Sequence, residues 1–510
     1  MFKFLAFVVI GVQVFSLFSS QGIAYADKSS INALVQVPAS VPDSNQSCTP
    51  TWQIVPSPNV FEWPNNVLSG VKAFSQNDVW AVGVYWGLAT PPTLIEHWDG
   101  NEWKIVPSPS PGLYKSELYA VDGIAPNDVW AVGYTEEHIF EGLYSKTLIV
   151  HWNGTQWETV PSPNPFAYDN TLTDIVAIAA DNVWAVGFGR DGVTTTDFQT
   201  PFFLHWNGSE WSVVTAPNTG NGHNRLVGID AVGADDIWAV GSHDYYDEGA
   251  DENFTMTLAM HYNGTQWSIV STPNAQPHRN SIGSVSMLAS DDVWAVGSAT
   301  PDNTFFPDTL TMHWNGTEWT IVASPNPGTQ SNSLGGVVGL SSDEVYAVGA
   351  ATKPGQGQSL VLRGDGNEWT RQTTPVTSGF GDYLNAVDGL NSADVWAVGH
   401  RYFNNNTNKT LILHRAPPIS RAQLNFPTNG APVNVGRILL KWNPSNCATF
   451  YKLEVRRTTK NGPIVVSSDD LSNTKFKLKN LVNDKYFWRV RACNADGCGL
   501  WSKWRKFTKQ

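Results

Sequence analysis

The chain has 510 residues, 12% of them aromatic with 23 Trp, and a formal net charge of −13. That acidic balance excludes nucleic acid as the partner class, because a phosphate backbone is held by an excess of Lys and Arg. Four cysteines in such a length exclude a small disulfide-dense scaffold, and no segment after residue 26 is apolar for long enough to span a bilayer.

In chain order, the first segment reads as an export signal. Lys3 gives a positive start, Phe4 to Phe18 is an almost unbroken apolar run, and Ala24-Tyr25-Ala26 is a small-x-small cleavage site. The mature chain is therefore expected to begin at Asp27 and to be secreted or associated with the cell surface. Residues 27–50 read as a linker. Cys48 lies in that linker, whereas Cys447, Cys493 and Cys498 lie near the C-terminus. Export permits their oxidation, and pairing of Cys493 with Cys498 or of Cys447 with one of those two both fit the spacing.

Residues 51–415 are dominated by an internal repeat. A DVWAVG-like hexad occurs seven times, ending at Gly83, Gly133, Gly187, Gly241, Gly297, Gly349 and Gly399, at spacings of 50 to 56 residues. Each hexad is followed by a variable stretch, an HWNGTQW-like segment such as His151 to Trp157, and a VPSPNP-like link. Every repeat thus holds four short β-rich runs, here a, b, c and d: Leu68 to Phe74, Asp78 to Val84, Thr93 to Trp98 and Glu102 to Val106 in repeat 1. The Asn-Gly or Asp-Gly between c and d predicts a tight hairpin with positive φ at both central residues. Repeat 7 stops near His414 without its d run, and Trp52-Gln53-Ile54-Val55 supplies a matching one at the other end of the chain. Such a permuted strand predicts a closed ring rather than a linear solenoid: all-β, a seven-bladed β-propeller whose strand 51–56 closes the last blade.

The framework residues have a structural expectation. Tryptophans at equivalent positions should fill the wedges between blades. One His per repeat (His97, His151, His205, His261, His313, His414) is too widely spaced to share a metal and is expected to hydrogen-bond within its blade. Asn153, Asn207, Asn263 and Asn315 match a glycosylation pattern, but the hairpin turn alone accounts for them.

A hydrophobic b strand ending in Gly, a variable loop, a turn to Trp and a Pro-rich link together resemble the kelch or galactose-oxidase type of propeller. The usual second glycine is replaced by Val84, Tyr134, Phe188, Ser242, Ser298, Ala350 or His400. The copper chemistry of galactose oxidase needs a cysteine cross-linked to tyrosine, and the repeats contain no cysteine, so the resemblance implies the fold without that activity. Beyond Pro417-Pro418 the pattern changes, and Tyr486 to Trp504 (YFWRVRACNADGCGLWSKW) resembles the last two strands of a fibronectin type III domain. Residues 416–510 are accordingly expected to form a β-sandwich in which Trp501 stacks with Arg489 and Arg491. This segment carries 17 Lys and Arg against 5 Asp and Glu, opposite in sign to the rest. It is expected either to dock on the acidic propeller or to face an anionic cell envelope.

The a–b and c–d turns are short and nearly uniform, while the b–c and d–a connections differ in every repeat. Binding residues concentrate on variable loops over a rigid frame, so the b–c/d–a face is the expected site. Trp63 and Trp86 are the two tryptophans of residues 51–415 outside the repeat positions, and with Asn65, Asn66, Tyr402 and Phe403 they suit stacking on a sugar ring or on a partner's apolar side chain. The acidic stretch around Gly249, with Asp244, Asp247 and Asp251, has the oxygen ligands for a Ca²⁺ ion. No nucleophile elbow, zinc-protease, P-loop or dinucleotide fingerprint is present. The expected function is extracellular recognition of a glycan or protein. The alternatives are a carbohydrate-active hydrolase or lyase using carboxylates among Glu136, Glu137, Glu141, Asp191 and Asp197, and a structural cell-surface protein.

Overall fold

A computed structural model describes residues 48–60, 64–86, 92–139, 142–192, 197–217, 220, 222–247, 252–376, 379–403, 407–434, 436–495 and 497–510. Residues 1–47, which hold the expected export signal and most of the expected linker, lie outside them. Among the described residues there are 37 strands and no helix. Residues 45–510 make one compact unit.

Each repeat folds into an antiparallel sheet in the order a–b–c–d, which gives a multi-bladed β-propeller. The DVWAVG run is buried almost throughout because strand b lies inside its sheet with further sheets on both faces. Strand d buries only its leading Trp and leaves the next residues exposed, as an outermost strand does. Strand Thr51–Ile54 pairs with Thr407–Ala416 of repeat 7 in the register Thr51 to Ala416 through Ile54 to Leu413. A parallel pair, Asn65 with Asn408, then ties repeat 7 to repeat 1.

The aromatic wedge is regular. The hexad Trp of one repeat meets the strand-d Trp of the next edge to face: Trp80 with Trp157, Trp130 with Trp211, Trp184 with Trp267, Trp238 with Trp319 and Trp294 with Trp369. Tyr346 meets Trp52 and Trp396 meets Trp103 in the same way, so the series returns on itself with centroid distances of 5.1 to 5.9 Å. The histidines act within their sheets. Those of repeats 1, 2, 4, 5 and 7 bond the Asp that opens strand b at 2.7–2.9 Å, and His205 bonds Asn182 at 3.0 Å. Each ring also lies on the hexad Trp, with centroids 3.8–4.7 Å apart. Repeat 6 exchanges the pair for Glu344 and Arg363, 2.5 Å apart.

The c–d connection differs from the expected two-residue hairpin. Trp152 pairs with Trp157, leaving Asn153 to Gln156 as the turn. Gly154 alone has positive φ, at 90°. Asn153 instead uses Oδ1 to accept from the Thr155 and Gln156 amides at 3.0 and 3.1 Å, so its side chain does what a left-handed backbone would have done. The hexad glycine has a different cause: a Cβ on Gly83 would lie 2.0 Å from the Val67 carbonyl oxygen of strand a.

The last hundred residues form two small sheets. One contains Leu424–Phe426, Arg437–Trp442 and Lys475–Lys479; the other contains Ala431–Val433, Phe450–Arg457, Ile464–Leu471, Asp484–Asn494 and Arg505–Lys509. Leu440 and Trp442 of the first share one core with Leu453, Val455, Trp488 and Phe507 of the second. Arg489 stacks between Trp501 and Trp504, at 4.4 and 4.5 Å. Arg491 does not stack in that ladder, contrary to expectation; its guanidinium donates to Asn77 of repeat 1. The disulfides are Cys493–Cys498 and Cys48–Cys447. Cys447 therefore pairs outside its own region, with the segment that leads into the ring-closing strand.

Candidate binding face

Antiparallel connection places all a–b and c–d turns at one end of the sheets and all d–a and b–c loops at the other. The last hundred residues meet the turn end. Arg491 Nη1 donates to Asn77 Oδ1 at 2.6 Å, and Trp501 Nε1 donates to the same oxygen at 3.2 Å. Leu500 packs against the core shared by repeats 7 and 1. Burial lowers the Arg491 guanidinium to about 10, opposed by the charge of Asp394.

At the loop end, the backbone pairs Trp86 with Asn65, Asn65 with Asn408, and Asn408 with Tyr402. Partners across a sheet carry their side chains to the same face, so these four form one row about 14 Å long, with Phe403 next along the strand. Trp86, Tyr402 and Phe403 are half-buried. Asn65 also accepts the Asn408 amide through its side chain at 2.9 Å, which locks the seam.

Asn66 is a correction. It is fully buried and accepts the Val60 amide at 2.9 Å. Asn170, Asn280 and Asn332 do the same at the equivalent position, each holding the backbone four residues upstream. Asn66 is thus a loop clamp of the frame, and alignment of the repeats two residues before Leu68 carries that signal. Trp63 lies outside the described residues.

Asp244 lies in a strand, Asp236–Asp247, where a loop was expected. Asp251 and the side chain of Asp247 lie outside the described residues. No group of three His, Cys, Asp or Glu among the described residues is arranged to hold a metal ion. Of the carboxylates weighed for catalysis, Glu137 is held by Lys146 at 2.8 Å and Asp191 accepts the Ala167 amide at 3.0 Å, while Glu141 lies outside the described residues.

The sequence reading missed the axis. A cavity of about 760 Å³ runs along the innermost strands, lined by Tyr119, Thr173, Asn385 and a set of charged groups. Strand a carries two register shifts in every repeat, as at Leu68/Gly70 and Ala73/Ser75 in repeat 1. Such bulges re-aim side chains, and here they turn Lys72, Asp122, Asp174, Asp230 and Asp388 to the lumen. The carboxylates clamp neighbouring repeats: Asp122 accepts from Ala177, Asp174 from Ile229, Asp230 from Met287 and Asp388 from Ala73, all backbone amides at 2.7–2.9 Å. Lys72 reaches Asp122 at 2.8 Å, and that charge raises its pKa. Burial deep along the axis pushes Asp174 up to about 7 and Asp230 to about 6. Stacked repeats align Lys72, Asp122, Asp230 and Asp388 four residues after the strand-a Leu, but leave out Asp174 and do not show that the position faces the axis.

No family model matches the chain, and no curated protein does. Solved structures give distant likenesses. The extracellular domain assigned to a hybrid two-component system of B. thetaiotaomicron is 10% identical with a TM-score of 0.41 over 90% of this chain, which spans 57% of that domain. An ulvan lyase is 11% identical, with a TM-score of 0.44 over 66% of this chain and 89% of the lyase. A xyloglucanase from Xanthomonas campestris is 11% identical, with a TM-score of 0.43 over 77% of this chain and 59% of the enzyme. Similarity at this level bears on neither ligand nor activity.

Proposed function

We propose that the chain is an exported, kelch-like seven-bladed propeller with a fibronectin type III-like sandwich at residues 416–510, and that it recognises an extracellular glycan through the loop end. The observation that carries this reading is the occupancy of the two ends. The turn end is engaged at Asn77 by Arg491 and Trp501. The loop end offers half-buried aromatics in one row over a frame cross-braced between repeats. Rings fixed beside amides suit a sugar, whose C–H face stacks while its hydroxyls find donors and acceptors.

The hydrolase or lyase reading draws on Asp174 and Asp230, whose raised pKa values suit proton transfer near neutrality. Against it, both oxygens of each already accept backbone amides.

The test is binding of the mature chain to immobilised polysaccharides, in Ca²⁺ and in chelator, beside a Trp86→Ala/Tyr402→Ala variant. Saturable binding weakened about 10- to 100-fold in the variant is expected, the loss that one or two stacking contacts supply. Release of reducing ends would favour the enzyme. Absence of binding across the panel overturns the glycan reading and leaves a protein ligand for the same face. Calcium at Asp244 and the acidic stretch after it is assessed by the difference between the two buffers.

A further inference from the structure

Between repeats 4 and 5, away from the Trp86 row, the loop end holds a second hollow of about 410 Å³ lined by Glu252, His278, Arg279, Asp302 and Phe305. His278 lies between two carboxylates, with Nε2 2.9 Å from Glu252 and Nδ1 2.6 Å from Asp302. Two carboxylates facing the two ring nitrogens favour the cationic imidazole, Asp302 foremost. In that form the charges of the described lining residues balance, with His278 and Arg279 against Glu252 and Asp302. Each carboxylate keeps one oxygen without a partner among the described residues.

Behind His278 the packing is aromatic: Phe254 lies tilted against its ring with centroids 4.7 Å apart, and Tyr245 stacks on Phe254 at 4.9 Å. Phe305, in the lining itself, is 87% exposed. It does not sit on a loose tip: Thr304 bonds back to Pro301 and forward to Phe306. The His278–Arg279 backbone is pinned on both sides, its carbonyls accepting from Thr255 at 2.7 Å and Thr300 at 2.8 Å. A Phe held outward on a braced turn, at the rim of a hollow, presents its ring face to a ligand at little ordering cost.

We infer that this hollow is a second glycan subsite, taking one or two uncharged sugar residues that stack on Phe305 and hydrogen-bond to Glu252 and Asp302. Balanced local charge favours a neutral ligand over an acidic or basic one. Size separates a sugar from a protein partner: the hollow falls in the range of small-ligand sites, roughly 300–1,000 Å³. A stable protein interface needs about 800 Å² from each side.

Calorimetric titration of the mature chain with cellohexaose, mannohexaose, xylohexaose and maltohexaose tests this, with a hyaluronan hexasaccharide as the acidic comparison. At least one neutral hexaose should bind, Phe305→Ala should weaken it at least about tenfold, and Asp302→Asn should weaken it as well. The Phe305→Ala variant should melt with the native chain, since the ring is not packed. The Trp86→Ala variant should keep this titration. Loss in Trp86→Ala with native affinity in Phe305→Ala would overturn the subsite while leaving the proposed function in place. Binding of the acidic hexasaccharide alone, or of none, would also overturn it.

Discussion

Glu96 is the residue least at home in this fold. It is fully buried in strand c of repeat 1, and neither carboxyl oxygen has a hydrogen-bond partner among the described residues. The equivalent residues of the other repeats, Val150, Leu204, Met260, Met312, Leu362 and Leu413, are all apolar. Burial pushes its pKa well above the usual carboxylate value. A carboxyl that holds its proton more tightly when folded stabilises the fold fully below its unfolded pKa. That stability is lost as pH rises toward the folded pKa. Asp174 and Asp230 have the same sign, so their window runs from about pH 4 to the values near 7 and 6. The melting temperature is therefore expected to rise as pH falls from 8 to 5. Glu96→Met should be more stable by about 1–3 kcal/mol at pH 7.5, with a shallower pH slope, as measured by thermal melts across that range. The hydrogen-bonding role of the repeated histidines and the Trp wedges were legible in the sequence because repetition fixes their positions; the Asp partner was not, since it reads as a turn residue. Asn66 was misassigned because a polar residue before a strand looks like a loop residue until its equivalents are stacked.

At the scale of the element, the ring-closing strand has the most to lose. Thr51–Ile54 is joined to repeat 7 by its pairing with Leu413–Ala416 and by Trp52, which packs with Leu411 and Leu413 of repeat 7 and against Tyr346 of repeat 6. The Cys48–Cys447 disulfide ties its leading end across a separation of 399 residues, which restricts the unfolded chain strongly. A Cys48→Ser/Cys447→Ser variant should lose about 2–5 kcal/mol. In hydrogen exchange its early opening should be confined to Thr51–Ile54 and the facing Leu413–Ala416; uniform exchange across the repeats would contradict this. The closing strand itself was legible from the missing d run. The disulfide partner was not, because spacing favours near neighbours and only the folded ring brings Cys48 to Cys447. The axial carboxylates escaped for a related reason: a bulge breaks the alternation from which the direction of a strand side chain is read.

For the whole molecule, the opposite charges of the two regions meet in few contacts. Arg491 faces Asp394 and bonds Asn77, and Arg421 lies in the field of Glu102, while Arg456, Arg457 and Arg489 pair with Glu454 and Asp484 of their own region. Removing a buried charged donor that satisfies its partner costs about 1.5–3 kcal/mol. Arg491→Ala should lower the melting temperature accordingly and leave carbohydrate affinity at the loop end unchanged. A drop in affinity would mean that the two ends are coupled.

The sequence by itself determined the repeat, its four strands, the ring closure by a permuted strand and the division between uniform turns and diverse loops. Each of these is local or periodic, and a periodic pattern carries its own register. The tertiary structure alone decided the axial set, the Cys48–Cys447 link, the end of the sheets met by the basic region, and the His278 hollow. Those depend on residues from different repeats converging across a ring, where side-chain direction, bulges and inter-repeat contact override sequence distance.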